Sequence, residues 1–466
     1  MAEQLAETPV DYAGTIAAHL VQASLGSLPE HAVERAKLRL IDSVGNILAG
    51  YRATGNEAAR AVFLGYGGTP ESTVLSAGRR IPAPHAAMLN SMAMRSYDFE
   101  AVGAESADTS MVAAHISGTT VPVALAAAER AGSSGARFLE ALILGEDLAS
   151  RLAVASGFNT TTGGDNTGTV NVMGAAAIVG KLGGFDERQY RDAFGHALNQ
   201  MAGTMQSLFD KADSFKLPQS LAARNAIVSA DLAAAGFRGV DDAIGAPWGF
   251  FRMFSPNAAP EQLLTGLGER YFADMIIKPW SSCRAAHPSL DALLRLRRAH
   301  GLTADAVERV EVHVTPNTKR GFTGQPFDDA PRSEVDGLFS IPYNIAVGLL
   351  EGTVRPEHLS TEYMARPEVR ATLRRVEIVD SLPATEYQTA EVVVVTAAGE
   401  RLRERVDGVL GDIYRRPLDE EEVLDKFRLN VDFGGQLDRA AADRVIDAIR
   451  RVDELDDLSP LIGLLG

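Results

Sequence analysis

The sequence predicts a mainly α protein, a large all-helical domain built from both chain ends that carries a smaller inserted α+β lid. Three observations lead there. From about residue 10 to 270 apolar residues recur at spacings of three and four, the period of an amphipathic helix. After "YFADMIIKPW" the pattern turns to short alternating runs rich in β-branched residues, the period of strands. From "DEEEVLDKFRLNV" to the end the helical period returns. At 466 residues the chain exceeds what one core usually supports. The expected division is residues 1–272 and 408–466 for the helical domain and 273–407 for the lid.

Taken in order, "HAVERAKLRLIDSVGNILAG" and "TVPVALAAAERAG" are helix patterns that stop at glycine. "VNVMGAAAIVGKLGG" and "LAARNAIVSADLAAAGFRG" obey the same rule, and their alanine and glycine content lets neighbouring helices approach closely. "VERVEVHVTP" and "RRVEIVDS" read as strands, and "TAEVVVVTAAGERLRERV" as a hairpin turning through "AAGE". "HPSLDALLRLRRAHG" and "SIPYNIAVGLLEG" supply helices between them. "AAADRVIDAIRRV" closes the second helical segment.

Composition excludes several functions. Hydrophobic residues make up 46% and charged residues 23% of the chain, which suits a globular core rather than disorder. The formal net charge of -16 argues against nucleic acid or an anionic membrane as partner. A single cysteine, Cys283, excludes an intrachain disulfide and a thiolate zinc cluster. "MAEQLAETPVDYAG" has no basic segment followed by an apolar one, and no apolar run reaches membrane-spanning length. A cytoplasmic location is expected. There is no phosphate-binding G-x-x-x-x-G-K-[ST] loop, no G-x-S-x-G elbow and no H-E-x-x-H pair. Cofactor-free and metal-free chemistry is therefore expected.

Four stretches carry candidate chemistry. "PAPHAAMLNSMAMRSYDFE" is a helix pattern with Arg95, Asp98 and Glu100 at its C-terminal end. Carboxylates there oppose the helix dipole unless a partner such as Arg95 offsets them. By composition alone the acidic run from Asp98 to Asp108 is a solvated loop. His115 precedes "SGTTVP", where Pro122 suits a first helical turn and free backbone N–H groups attract anions. Lys216 in "DKADSFKLPQSLAARNA" sits between Phe215 and Leu217. It is either an ordinary snorkelling lysine or a desolvated base or carboxylate anchor. "KPWSSCRAAHPSLDA" gathers Lys278, Cys283, Arg284 and His287 near the domain boundary, a favoured place for small-molecule sites. "GGDNTGTVNVMGAAA", containing Asp165, is a glycine-rich helix start.

In this order the blocks "AKLRLIDSVGNILAG", "YDFE…HISGTTVPVALAAAE", "TGTVNVMGAAAIVGKLGG", "KLPQSLAARNAIVSADLAAAGFRG", "KPWSSCRAAHPSLDA" and "FSIPYNIAVGLLEG" resemble the MmgE/PrpD family. That family includes 2-methylcitrate dehydratase, cis-aconitate decarboxylase and iminodisuccinate epimerase. The resemblance implies a homodimer acting without a cofactor on a small carboxylate. It also implies catalytic roles for Asp98, His115, Lys216, Lys278 and Tyr343. Arg95, Glu100, Asp165, Cys283 and His287 fall where substrate would bind. Three positions depart from the family pattern: Arg95 and Asp165 stand where it has histidines, and Ile116 where it has proline.

The expected reaction is removal of a proton next to a carboxylate, followed by elimination of water or another leaving group. Epimerisation or decarboxylation of a small dicarboxylate is the alternative within enzymes. A non-catalytic ligand-binding homologue is the alternative outside them.

Overall fold

A computed structural model describes residues 10–157, 163–255 and 257–466. It is predominantly helical with an α+β lid. The helices Glu30–Gly50, Ala83–Arg95, Ser117–Ala131, Gly135–Ser156, Thr167–Gly183 and Leu217–Ala234 pack around one core. From the far end of the chain, Glu420–Gly434 and Arg439–Arg450 add Leu424, Phe427, Val431 and Ile446 to that same core. The glycines expected to allow close approach do so at one crossing. A Cβ on Gly145 would lie 2.6 Å from the Gly174 carbonyl oxygen, and one on Gly174 would lie 2.5 Å from that of Gly145. Alanine at either position forces these two helices apart.

The lid holds a four-stranded sheet in which Val307–Val314 is flanked by parallel Val376–Asp380 and antiparallel Ala390–Thr396, with Arg401–Val406 outermost. The last two strands form the expected hairpin. Helices His287–His300 and Ile341–Glu351 place Leu293, Leu296, Ile341 and Ile345 against Val310, Val312 and Val392 of this sheet.

The first 270 residues are less uniformly helical than their periodicity predicts. Ser72–Val74 pairs with Arg79–Ile81, and Val102–Glu105 lies between Met111–Val112 and Asp274–Ile276. Strands this short carry too little alternation to be read locally. The acidic run is correspondingly a solvated loop only at its Asp108 end. Asp98, Glu100 and Glu105 are each no more than 1% exposed, and Glu105 pairs with Arg35 at 2.8 Å.

Pro122 is also differently placed. The helix starts at Ser117, so the proline falls inside it rather than in its first turn. It deprives the Gly118 carbonyl of its intrahelical donor. Ser91 Oγ at 2.7 Å and Gln219 Nε2 at 3.1 Å donate to that oxygen instead. Among the described residues no helix is long and apolar enough to cross a membrane.

Candidate active site

Between the helical domain and the lid lies a cavity of about 250 Å³, bordered by Arg95, Asp98, His115, Asp165, Cys283 and Arg284 together with apolar side chains. A larger cleft of about 800 Å³ opens on the lid. Two of its cations are paired, Lys319 with Asp380 at 3.1 Å and Arg370 with Asp329 at 3.8 Å, and among the described residues no histidine borders it. Of the two, the smaller cavity is the one that a histidine borders among the described residues.

His115 is fixed from both sides of the chain. The Asp274 carboxylate, on the strand that pairs with Val102–Glu105, accepts from the Ile116 and Ser117 backbone N–H groups at 3.1 and 2.7 Å. Those N–H groups are the helix-start donors expected to attract a ligand anion, so the protein itself fills that place. Asn171 Nδ2 donates to the His115 carbonyl at 2.6 Å.

The imidazole Nδ1 lies 2.8 Å from Glu100 Oε1, while Nε2 is 4.0 Å from Asp98 Oδ1. A carboxylate at Nδ1 holds the proton there and leaves the Nε2 lone pair available. Glu100 therefore orients the imidazole, and it stands behind the histidine rather than on the cavity wall.

Arg95 closes the Ala83–Arg95 helix and folds back on the carboxylates that follow it. Its Nη1 donates to Asp98 Oδ1 and to Glu100 Oε1 at 2.9 Å; His115 Nδ1, which carries its own proton toward Glu100, lies 3.5 Å away without accepting from it. Lys278, fully buried, donates to the Asp98 carbonyl at 2.6 Å and to its carboxylate at 2.8 Å. Asp98 adopts a left-handed backbone with φ of 45°, a conformation aspartate tolerates at modest cost.

Burial alone would raise the Glu100 carboxyl, but Arg95, His115 and Lys278 overcome it and hold the group well below the usual carboxylate range. Burial would likewise discharge Arg95, and the Asp98, Glu100 and Asp165 charges push it the other way. Asp98, Glu100 and His115 offer donor atoms within 4.8 Å of one another, a spacing compatible with a metal ion. The Arg95 guanidinium already reaches all three, and Lys278 adds a second cation, so the donor set is neutralised by protein.

The remaining sequence-predicted residues are placed as follows. Asp165 borders the cavity and accepts from the Thr167 N–H at 3.0 Å. Cys283 borders it too, with burial pushing its thiol up to about 11, which keeps it protonated and unreactive. Lys216 does not reach the cavity. Its Nζ donates to the Thr54 carbonyl at 2.7 Å and pairs with Glu334 at 3.2 Å. Tyr343 points elsewhere as well, donating its hydroxyl to the His358 carbonyl and stacking on Phe327 at 4.9 Å. His287 is buried against Trp280, with Nε2 on the Ser282 carbonyl at 3.2 Å, and burial first, then Lys278, drives it well below its ordinary value.

Tyr387 and Gln388 border the cavity from the loop between two lid strands and were not anticipated. Nothing in "SLPATEYQTA" distinguishes them from other surface-loop residues.

Comparison with known proteins agrees with this architecture over nearly the whole length. Residues 14–263 match the MmgE/PrpD N-terminal domain and residues 280–453 the MmgE/PrpD C-terminal domain. The chain is 26% identical to the cis-aconitate decarboxylase of Mus musculus, over 94% of this chain and 90% of that protein. It is 26% identical to the Homo sapiens enzyme of the same name, over 95% and 92%, and 24% identical to that of Aspergillus terreus, over 94% and 92%. On the two domain matches, the chain belongs to the MmgE/PrpD family.

Proposed function

We propose that the chain is a cofactor-independent lyase acting on a small carboxylic acid, with His115 as the base that removes the proton next to the carboxylate. The observation that carries this reading is the 2.8 Å contact between Glu100 and Nδ1 of a histidine that borders the cavity, which leaves Nε2 as the unengaged nitrogen. Nε2 takes the proton, and the C–H electron pair delocalises into the substrate carboxylate. It then expels the leaving group from the adjacent carbon. Arg95 and Lys278 place positive charge beside Asp98 and stabilise the negative charge that builds up. Glu100 stabilises the imidazolium that forms. Tyr387, which borders the cavity where Tyr343 does not, is the hydroxyl available to protonate the leaving group.

Similarity to cis-aconitate decarboxylases supports a carboxylate substrate. Proton NMR in deuterated water on a panel of hydroxy- and unsaturated carboxylates tests the proposal. Loss of the α-proton signal together with a new alkene supports elimination. Exchange without an alkene points to epimerisation, and no change on any member overturns the reading.

A further inference from the structure

Charge around the cavity narrows the substrate, an inference that rests on the lyase reading. Most of the nearby cations are already engaged. Arg95 is held by Asp98 and Glu100, and Lys278 by Asp98. Lys216 pairs with Glu334, and Lys211 donates to the Phe322 and Phe339 carbonyls at 3.0 and 2.8 Å.

Arg284 differs. Its side chain borders the cavity, and its hydrogen bond to Gln388 Oε1 is long, at 3.4 Å. Its Nε is buried with no partner among the described residues. Asp412 acts on it through space, but that carboxylate accepts from the Tyr414 and Arg415 N–H groups at 2.9 and 3.2 Å. Burial lowers Arg284 only to about 10, so it remains a cation at neutral pH. A buried guanidinium donor without an acceptor is costly, and a carboxylate presents two oxygens in the geometry the fork requires.

Much of the remaining wall is apolar, formed by Val102, Met111, Met205, Leu208, Phe322 and Phe339, with uncharged polar groups from Asn166, Thr167, Tyr387 and Gln388. Asp98 is offset by Arg95 and Lys278, whereas Asp165 borders the same space with no ion-pair partner among the described residues and repels a further anion. We propose that the cavity takes a substrate with a single carboxylate on a short apolar body, anchored by Arg284, in preference to di- and tricarboxylates.

Calorimetric titration of the full chain with 3-hydroxyhexanoate, 3-hydroxyglutarate and cis-aconitate tests this. The monocarboxylate binds most tightly, Arg284→Met weakens it by about 10- to 100-fold, and Arg284→Lys weakens it less. Preference for cis-aconitate, or unchanged binding in a folded Arg284→Met, overturns the inference. If Arg284→Met does not fold, the ranking of the three acids and the Arg284→Lys titration decide.

Deuterium exchange on the same acids separates the two levels. Exchange confined to the di- and tricarboxylates removes this inference and leaves the lyase reading. Tight, Arg284-dependent binding of 3-hydroxyhexanoate with no exchange on any of the three upholds the anchor and counts against the lyase.

Discussion

Replacing Glu100 by glutamine removes one charge from the histidine cluster while keeping its shape. A single oxygen, Oε1, meets both Arg95 Nη1 at 2.9 Å and His115 Nδ1 at 2.8 Å. Both neighbours donate, so the glutamine carbonyl oxygen takes that place and its amide nitrogen replaces Oε2, which has no partner. The imidazole thus keeps its tautomer. What disappears is an anion. In the native cluster Arg95 and Lys278 are balanced by Asp98 and Glu100. With glutamine the resting cluster carries excess positive charge, and proton abstraction by His115 adds more. Attraction between carboxylate and imidazolium about 4 Å apart is worth about 4 kcal/mol at an effective dielectric constant of about 20. At about 1.4 kcal/mol per factor of ten, α-proton exchange falls by about a hundred- to a thousandfold. Breaking a buried ion pair from one side costs about 3–5 kcal/mol, and the lower end applies because Arg95 keeps Asp98. Exchange is followed by NMR and stability by urea titration. A cooperatively folded Glu100→Gln that exchanges within about threefold of the parent refutes the charge argument.

Two predictions concern contacts between the helical domain and the lid. Lys216→Met strands the buried Glu334 carboxylate, so urea unfolding should show a loss of about 3–5 kcal/mol, most of it recovered when Glu334→Met is added. Lys211 is lowered by burial to about 8, so below pH 8 both folded and unfolded chains carry its proton. Above pH 8 the folded chain releases it first, and stability contributed at this position rises with pH until the unfolded lysine titrates near 10.5. The difference in unfolding free energy between the parent and Lys211→Met should therefore grow between these limits by up to about 3 kcal/mol, and a difference that shrinks with pH contradicts the assignment.

Long periodic elements were legible because burial imposes their spacing. The hairpin through "AAGE" and the helices of both chain ends appear where alternation and helical period place them. Pro122 was misread because the donors that replace its N–H come from Ser91 and Gln219, each far along the chain. Locally, a proline soon after a polar helix start looks like a first-turn residue. The acidic run looked solvated for a similar reason. Its burial depends on Arg35, Arg95, Lys278 and a strand contributed by Asp274–Ile276.

The residues brought together at the cavity were largely those in the first acidic stretch and the "KPWSSCRAAH" turn. Lys216, Tyr343 and His287 show that a matching block does not fix where a side chain points. Each has a buried partner of its own within the fold. The sequence places Arg284 in that turn but assigns it no role of its own. Its standing comes from what its neighbours leave unpaired.

The proposed lyase chemistry turns on abstraction by His115 Nε2 of the proton next to the substrate carboxylate. The most direct test compares α-proton exchange in deuterated water for the parent and His115→Asn on the best-bound acid of the panel. Near-UV circular dichroism confirms that both are folded. Exchange should fall by about a hundred- to ten-thousandfold while the acid still binds. Exchange at the parent rate in folded His115→Asn would contradict it.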